Sequence, residues 1–103
     1  MFQTPSHNIG CNLSVGGVFC AIVKADWAPA DEPDCPADAG RYVTLDRTIA
    51  VNCGMQDSPT GQVLPYGDKL VADEFTCTSA EDGLTCSGPP GSFFLSRERI
   101  EVR

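Results

Sequence analysis

The chain is poor in the features that mark a membrane-spanning or nucleic-acid-binding protein. Its 103 residues contain no long apolar run, because serine, asparagine and glycine interrupt the longest stretch without a charge or a proline, Ser6–Val23. Only seven basic residues stand against 14 acidic ones, and the resulting net charge of −7 repels phosphate backbones and anionic lipid headgroups. We therefore expect no nucleic-acid partner and no membrane span in this chain.

Helical periodicity is also missing over any stretch of about ten residues. A composition of 42% hydrophobic and 20% charged residues is typical of a folded domain, and 103 residues make one domain, 1–103. Short apolar or alternating segments are separated by turns rich in glycine and proline. This pattern predicts an antiparallel all-β domain, a small barrel or sandwich of about seven to nine short strands.

A β-hairpin is predicted over Asn8–Lys24. Its register sets Cys11 opposite Cys20, with Ser14–Gly17 as the turn. The second arm, Val18–Val23, is apolar on both faces, which predicts a central strand covered on two sides. The other predicted strands are Arg41–Leu45, Thr48–Cys53, Lys69–Thr78, Leu84–Ser87, Phe93–Leu95 and Arg99–Val102, with loops over Ala25–Gly40 and Asp57–Gly67.

Six cysteines in so short a chain indicate three disulfides formed in an oxidising compartment. In two pairs, eight intervening residues allow two short arms and a turn, which brings directly opposed cysteines within disulfide range. Zinc is the alternative, but it needs more closely spaced ligand pairs than this chain offers. The predicted disulfides are Cys11–Cys20, Cys77–Cys86 and, by exclusion, Cys35–Cys53.

The first residues, Met1–Pro5, have neither the basic start nor the apolar run of a signal peptide. Together with the disulfides, this leads us to expect a mature domain behind an added initiator Met, with its targeting segment removed. The expected location is outside the cell or in the cell envelope.

No catalytic residue, cofactor or metal ligand is predicted. His7 is the only histidine, and a lone histidine near a terminus is usually a solvated loop residue. The adjacent acidic pairs point to opposite faces of an extended chain and do not share a site. Calcium in the acidic loop Ala25–Gly40 is a weaker alternative, because its carboxylates do not follow the EF-hand spacing.

Three aromatic residues are the candidates for partner contacts. Trp27 is expected to anchor the acidic loop, and Tyr66 lies between a proline and a glycine in a turn-forming segment. The pair Phe93–Phe94 puts a ring on each face of one strand, so one ring either packs beneath a loop or joins an exposed patch. The candidate binding residues are therefore Trp27, Tyr66 and Phe94.

Five segments of the chain carry motifs of a known kind: Thr4–Cys11, Leu64–Gly67, Phe75–Ser79, Gly83–Cys86 and Phe93–Arg97. Together they resemble a family of small secreted actinobacterial proteins of unknown function. The resemblance implies export, an upstream signal peptide or lipoprotein anchor, and disulfides, but it carries over no catalytic or binding residue. The chain departs from the family at His7, where the motif has glycine, and at Pro90–Ser92, where it has Gly-His-Gly.

Two functions are compatible with a disulfide-linked β frame that carries proline-rich loops. The first is a non-enzymatic extracellular domain whose loops bind a protein or a cell-envelope component. The second is an inhibitor of a secreted hydrolase such as a protease or a lysozyme, because rigid loops lose little entropy on docking. An acidic inhibitor favours a basic target.

Overall fold

The computed structural model describes residues 1–36, 38–54 and 60–103. In these ranges the chain forms eleven strands and no helix, and nine of the strands have three or more residues, which confirms the all-β prediction. The strands are β1 (Phe2–Gln3), β2 (Ile9–Ser14), β3 (Gly17–Ile22), β4 (Arg41–Leu45), β5 (Ile49–Cys53), β6 (Gln62–Val63), β7 (Lys69–Ala72), β8 (Phe75–Ala80), β9 (Gly83–Gly88), β10 (Gly91–Leu95) and β11 (Ile100–Val102).

The strands form a two-layer sandwich. One sheet has the order β5-β4-β3-β2-β1-β6 and the other β11-β10-β9-β8-β7. Neighbouring strands are antiparallel in every pair that the structure describes except β1 and β6, which are parallel. Alternate residues of both sheets point inward and form one apolar core, centred on side chains such as Val43, Leu84 and Phe93, which are all 0% exposed.

All three predicted disulfides are present. Cys11–Cys20 joins β2 to β3, and Cys77–Cys86 joins β8 to β9, each with a Cα–Cα distance of 4.1 Å. This distance is close to that of directly opposed residues that exchange no backbone hydrogen bonds in an antiparallel ladder. The third disulfide, Cys35–Cys53, links the acidic loop to the end of β5, with a Cα–Cα distance of 5.8 Å.

The β2–β3 hairpin has the predicted register, with Cys11 opposite Cys20. Its turn is shorter than expected, because Ser14 and Gly17 still pair and only Val15 and Gly16 lie between the strands. The central position of β3 is also confirmed, since it lies between β2 and β4. The expectation that both of its faces are covered is wrong at Phe19, which is 44% exposed on the outer face.

The predicted strand Lys69–Thr78 is instead a hairpin. It divides into β7 and β8, which pair with each other, so the chain reverses at Asp73 and Glu74. Asp73 takes a φ of 54°, in the left-handed region that aspartate tolerates better than most residues. The polar pair therefore forms a two-residue turn within a segment whose flanking residues favour a strand.

Two short strands were not predicted. Phe2 in β1 is 1% exposed and belongs to the core, although two residues are too few to show a periodicity. Strand β6 pairs with β1 and lies within Asp57–Gly67, which was expected to be a loop. Positions 57–59 of that segment lie outside the described residues.

The acidic segment Ala25–Gly40 has no strand in its described positions, and Arg41 holds it against the sandwich. The Arg41 side chain is 2% exposed, although it begins a strand next to a highly charged loop. Its Nε donates to the Trp27 carbonyl at 2.7 Å, and its Nη1 donates to the carbonyls of Pro36, at 3.0 Å, and Ala39. One guanidinium thus satisfies three carbonyls of a segment whose only large apolar side chain is Trp27.

Candidate functional site

An open groove of about 500 Å³ lies at one end of the sandwich, where several connections meet. One wall is the segment between β1 and β2 together with Lys24. The opposite wall is formed by the β8–β9 turn and the turn that follows β10, and Tyr66 completes the lining. Residues far apart in the chain therefore meet here: Thr4, Ser6, His7, Asn8, Ile9, Val23, Lys24, Tyr66, Ala80, Glu81, Asp82, Gly83, Ser96, Arg97 and Glu98.

Hydrogen bonds within the segment before β2 fix the shape of the first wall. The hydroxyl groups of Thr4 and Ser6 lie 3.0 Å apart, and the His7 amide donates to the Thr4 carbonyl at 2.9 Å. His7 takes a φ of 61°, in the left-handed region that favours glycine. The His7 Nδ1 lies 2.8 Å from the Gln3 side-chain oxygen, so this nitrogen contacts the Gln3 amide and not the hydroxyl group of Thr4 or Ser6.

Asn8 fixes the backbone of Lys24 at the same wall. The Asn8 side-chain amide donates to the Lys24 carbonyl at 2.9 Å and accepts from the Lys24 amide at 2.8 Å. This two-bond contact has the same donor and acceptor arrangement as a backbone pair in a sheet. It holds the exposed Lys24 at the rim of the groove.

The start of the acidic loop is bound to the turn after β10. The Asp26 amide donates to the Arg97 carbonyl at 2.7 Å, and the Trp27 indole N–H donates to the Ser96 carbonyl at 2.8 Å. The Arg97 and Asp26 side chains form an exposed ion pair at 3.7 Å. Such a pair adds little stability in water, so the backbone and indole contacts are what hold Arg97 beside the groove.

The three predicted binding residues surround this groove in different ways. Tyr66 lines it and is 45% exposed. Trp27 does not line the groove; it is half-buried, and its indole N–H bonds to the Ser96 carbonyl and anchors the acidic loop as expected. Phe94 is only 6% exposed, and the Arg99 guanidinium lies 4.6 Å from its ring centroid. Of the two alternatives for Phe93–Phe94, the structure shows the packed one: Phe94 does not line the groove, and its ring packs against Gly83, which does.

The resolved pKa shifts belong to groups outside the groove. The Thr48 amide donates to the Asp46 carboxylate at 3.1 Å, and this bond and a second one from the Arg47 amide lower the pKa of Asp46. A hydrogen bond from Arg99, at 2.9 Å, lowers the pKa of Glu101. Both are surface contacts that organise a turn and an edge strand.

Ligand chemistry in the groove therefore depends on hydrogen bonding and on charges of both signs. Lys24 and Arg97 supply positive charge, and acidic residues in the two facing turns supply negative charge. Across positions 1–36, 38–54 and 60–103, no three histidine, cysteine, aspartate or glutamate side chains are placed to share a metal ion. None of the described residues forms a helix with the length and apolar content that a bilayer crossing requires.

Comparison of the chain with protein-family models, with curated proteins and with solved structures finds no match.

Proposed function

We propose that this domain is a non-enzymatic binding module of the extracellular space or cell envelope, which holds a protein or an envelope component in the groove between its loops. The groove is the observation that carries the proposal. It combines an exposed aromatic ring, Tyr66, with the cations Lys24 and Arg97 and with acidic turns. Sites that combine apolar surface with a few placed polar groups are typical of binding pockets.

The rigidity of the frame supports this function. A disulfide crosses the middle of each sheet, and a third holds the acidic loop that lies behind Arg97. Loops on such a frame lose little conformational entropy when they bind, which favours affinity. Disulfides are also typical of exported proteins, which supports the proposed location.

Capture from the envelope fraction of the source organism tests the groove. We expect a partner that the wild-type domain retains and that the double variant Lys24→Ala/Tyr66→Ala retains at least about tenfold less, because both side chains line the groove. The control is Val71→Ser, which changes an exposed apolar residue of β7 that does not line the groove. Equal retention by all three proteins, or retention of nothing by the wild type, would reject the groove as the binding site.

Inhibition of a secreted hydrolase is the second candidate, and the β2–β3 hairpin favours it. Val15 is 75% exposed at the tip of this hairpin, which the Cys11–Cys20 disulfide closes. A rigid tip with an apolar side chain is suited to insertion into an enzyme cleft. Under this hypothesis, micromolar domain slows at least one enzyme in a panel of proteases and muramidases, and Val15→Asp relieves the inhibition. No slowing of any enzyme in the panel would reject it.

A further inference from the structure

The outer face of the six-stranded sheet carries no charged side chain on its four strands β2–β5. The chain has 14 acidic and seven basic residues, yet the one charged residue on these four strands, Arg41, is buried on the inner side. Inward-pointing apolar positions of these strands belong to the core, and the alternate positions form the outer face, where Phe19 is 44% exposed and Ala21 is 8% exposed. The outward positions are Gly10, Asn12, Ser14, Gly17, Phe19, Ala21, Tyr42, Thr44, Ala50 and Asn52.

The outer face of the five-stranded sheet differs in this respect. Lys69 lies at one edge, and Glu101 and Arg103 lie at the other, where Glu101 bonds to its neighbouring arginines. Charged side chains on edge strands are one way in which a sheet avoids pairing with another chain. The edge strand β5 of the charge-free face has only Ala50 and Asn52 at its outward positions, so it lacks this protection.

Two aromatic rings occupy the centre of the charge-free face. Phe19 and Tyr42 stack with their ring centroids 5.4 Å apart and their planes 23° from parallel. Asn12 lies directly across from Phe19, and Asn52 lies directly across from Tyr42, so an asparagine flanks each ring on the outer side. The resulting row crosses four strands, a width of about 14 Å.

The polar groups of this row are available to a ligand. In the described part of the chain, the side chains of Asn12, Asn52, Tyr42 and Thr44 make no hydrogen bond. Each asparagine amide offers two donors and one acceptor, and the two hydroxyl groups both donate and accept. The face thus combines apolar ring surface with uncharged hydrogen-bonding groups that have no partner among the described residues.

We propose that this face is a binding site for a neutral oligosaccharide. The C–H faces of sugar rings pack on aromatic side chains, whose π-faces carry partial negative charge. Sugar hydroxyl groups pair with amides and hydroxyls without requiring a compensating charge. A charged polymer would find no counter-charge on this face. The site lies on a different surface from the groove and does not depend on the function proposed for it.

Native affinity electrophoresis tests the proposal, because the net charge of −7 carries the protein through the gel. Gels contain galactomannan, a soluble β-1,3-glucan, an α-glucan or an arabinogalactan, and a polygalacturonate gel serves as the anionic comparison. We expect at least one neutral polysaccharide to retard the protein and polygalacturonate to leave its mobility unchanged. Retardation by none of the neutral polysaccharides would overturn the proposal.

Variants locate the site. Phe19→Ala and Tyr42→Ala are each expected to weaken retardation about tenfold, since each removes a stacking ring. Asn12→Ala and Asn52→Ala lose only hydrogen bonds to the ligand and are expected to weaken retardation severalfold. The risk to folding is small, because neither amide has a hydrogen-bond partner in residues 1–36, 38–54 and 60–103. The control Val71→Ala changes an exposed residue on the outer face of the other sheet and should leave retardation intact.

Three other results would overturn the assignment. Unchanged retardation of all four variants would place the sugar elsewhere, and retardation of the wild type that Tyr66→Ala abolishes would place it in the groove. A dimer in sedimentation equilibrium that Phe19→Ala dissociates, without retardation in any gel, would assign the face to contact between two copies of the chain.

Discussion

Replacement of Arg41 by methionine tests whether one buried guanidinium holds the acidic loop in place. The side chain is 2% exposed and donates to the carbonyls of Trp27, Pro36 and Ala39. Its guanidinium carbon also lies 5.8 Å from the centroid of the Trp27 ring. Methionine has a similar length and apolar character, so Arg41→Met removes these contacts with little change in volume.

The expected loss follows from two opposing contributions. Hydrogen bonds to a charged group contribute about 1.5–3 kcal/mol each, so the three bonds are a large favourable contribution. The desolvation of a buried cation opposes them by several kcal/mol. We therefore expect Arg41→Met to lower the free energy of unfolding by about 2–4 kcal/mol, because three loop carbonyls lose their donor. Arg41→Lys keeps the charge but not the planar fork and should lose about half as much.

Guanidinium denaturation with intact disulfides measures these differences. Trp27 is the only tryptophan, and it lies beside Arg41, so its fluorescence reports directly on the affected region. Arg47→Met is the matched control, because Arg47 is exposed, and it should change stability by less than about 0.5 kcal/mol. Equal denaturation midpoints for the wild type and Arg41→Met would refute the role assigned to this side chain.

Other contacts lead to three further predictions. Replacing Cys35 and Cys53 by serine should lower the free energy of unfolding by about 3 kcal/mol on the loop-entropy model, and it should speed proteolysis of the acidic loop. Equal stability of the variant and the wild type would show that Arg41 alone is sufficient to hold the loop. Ser79→Ala should raise the free energy of unfolding by about 0.5–1 kcal/mol, because the buried Ser79 hydroxyl has no hydrogen-bond partner among the described residues. A lower free energy of unfolding in denaturation would show that this hydroxyl does have a partner. Because folding lowers the pKa of Asp46, its carboxylate stabilises the folded state at pH values above its pKa in the unfolded chain, and this stabilisation is lost as the pH falls through its pKa in the folded protein. An NMR titration that finds no lowering of the Asp46 pKa would contradict this.

The cysteine spacing made much of the fold predictable. A disulfide between two strands of one hairpin requires the cysteines to be directly opposed, so pairing Cys11 with Cys20 sets every other pair in that hairpin. The same reasoning applies to Cys77 and Cys86. Since these two hairpins lie at or beside the middle of their sheets, their register also determines which residues of the neighbouring strands point inward.

The remaining features depend on contacts between distant segments, and the sequence contains no local signal for them. A charged residue at the start of a strand is usually solvated, and the burial of Arg41 becomes evident only when the carbonyls of the loop surround it. The groove has the same origin, because Lys24, Tyr66 and Arg97 are brought together by the sandwich. The β7–β8 turn was missed for a different reason, since Asp73 and Glu74 interrupt an otherwise strand-like pattern by only two residues.

The two disulfides within the sheets lie in a different part of the molecule from the two surfaces proposed to bind ligands. Cys11–Cys20 and Cys77–Cys86 lie in the core, on the inner faces of the two sheets. The Phe19–Tyr42 pair lies on the outside of one sheet, and the groove is formed by connections beyond the strand ends. Substitutions on either surface therefore leave the covalently linked interior unchanged. If a variant of the aromatic pair or of the groove loses binding while its denaturation midpoint stays within error of the wild type, the loss can be assigned to the site itself.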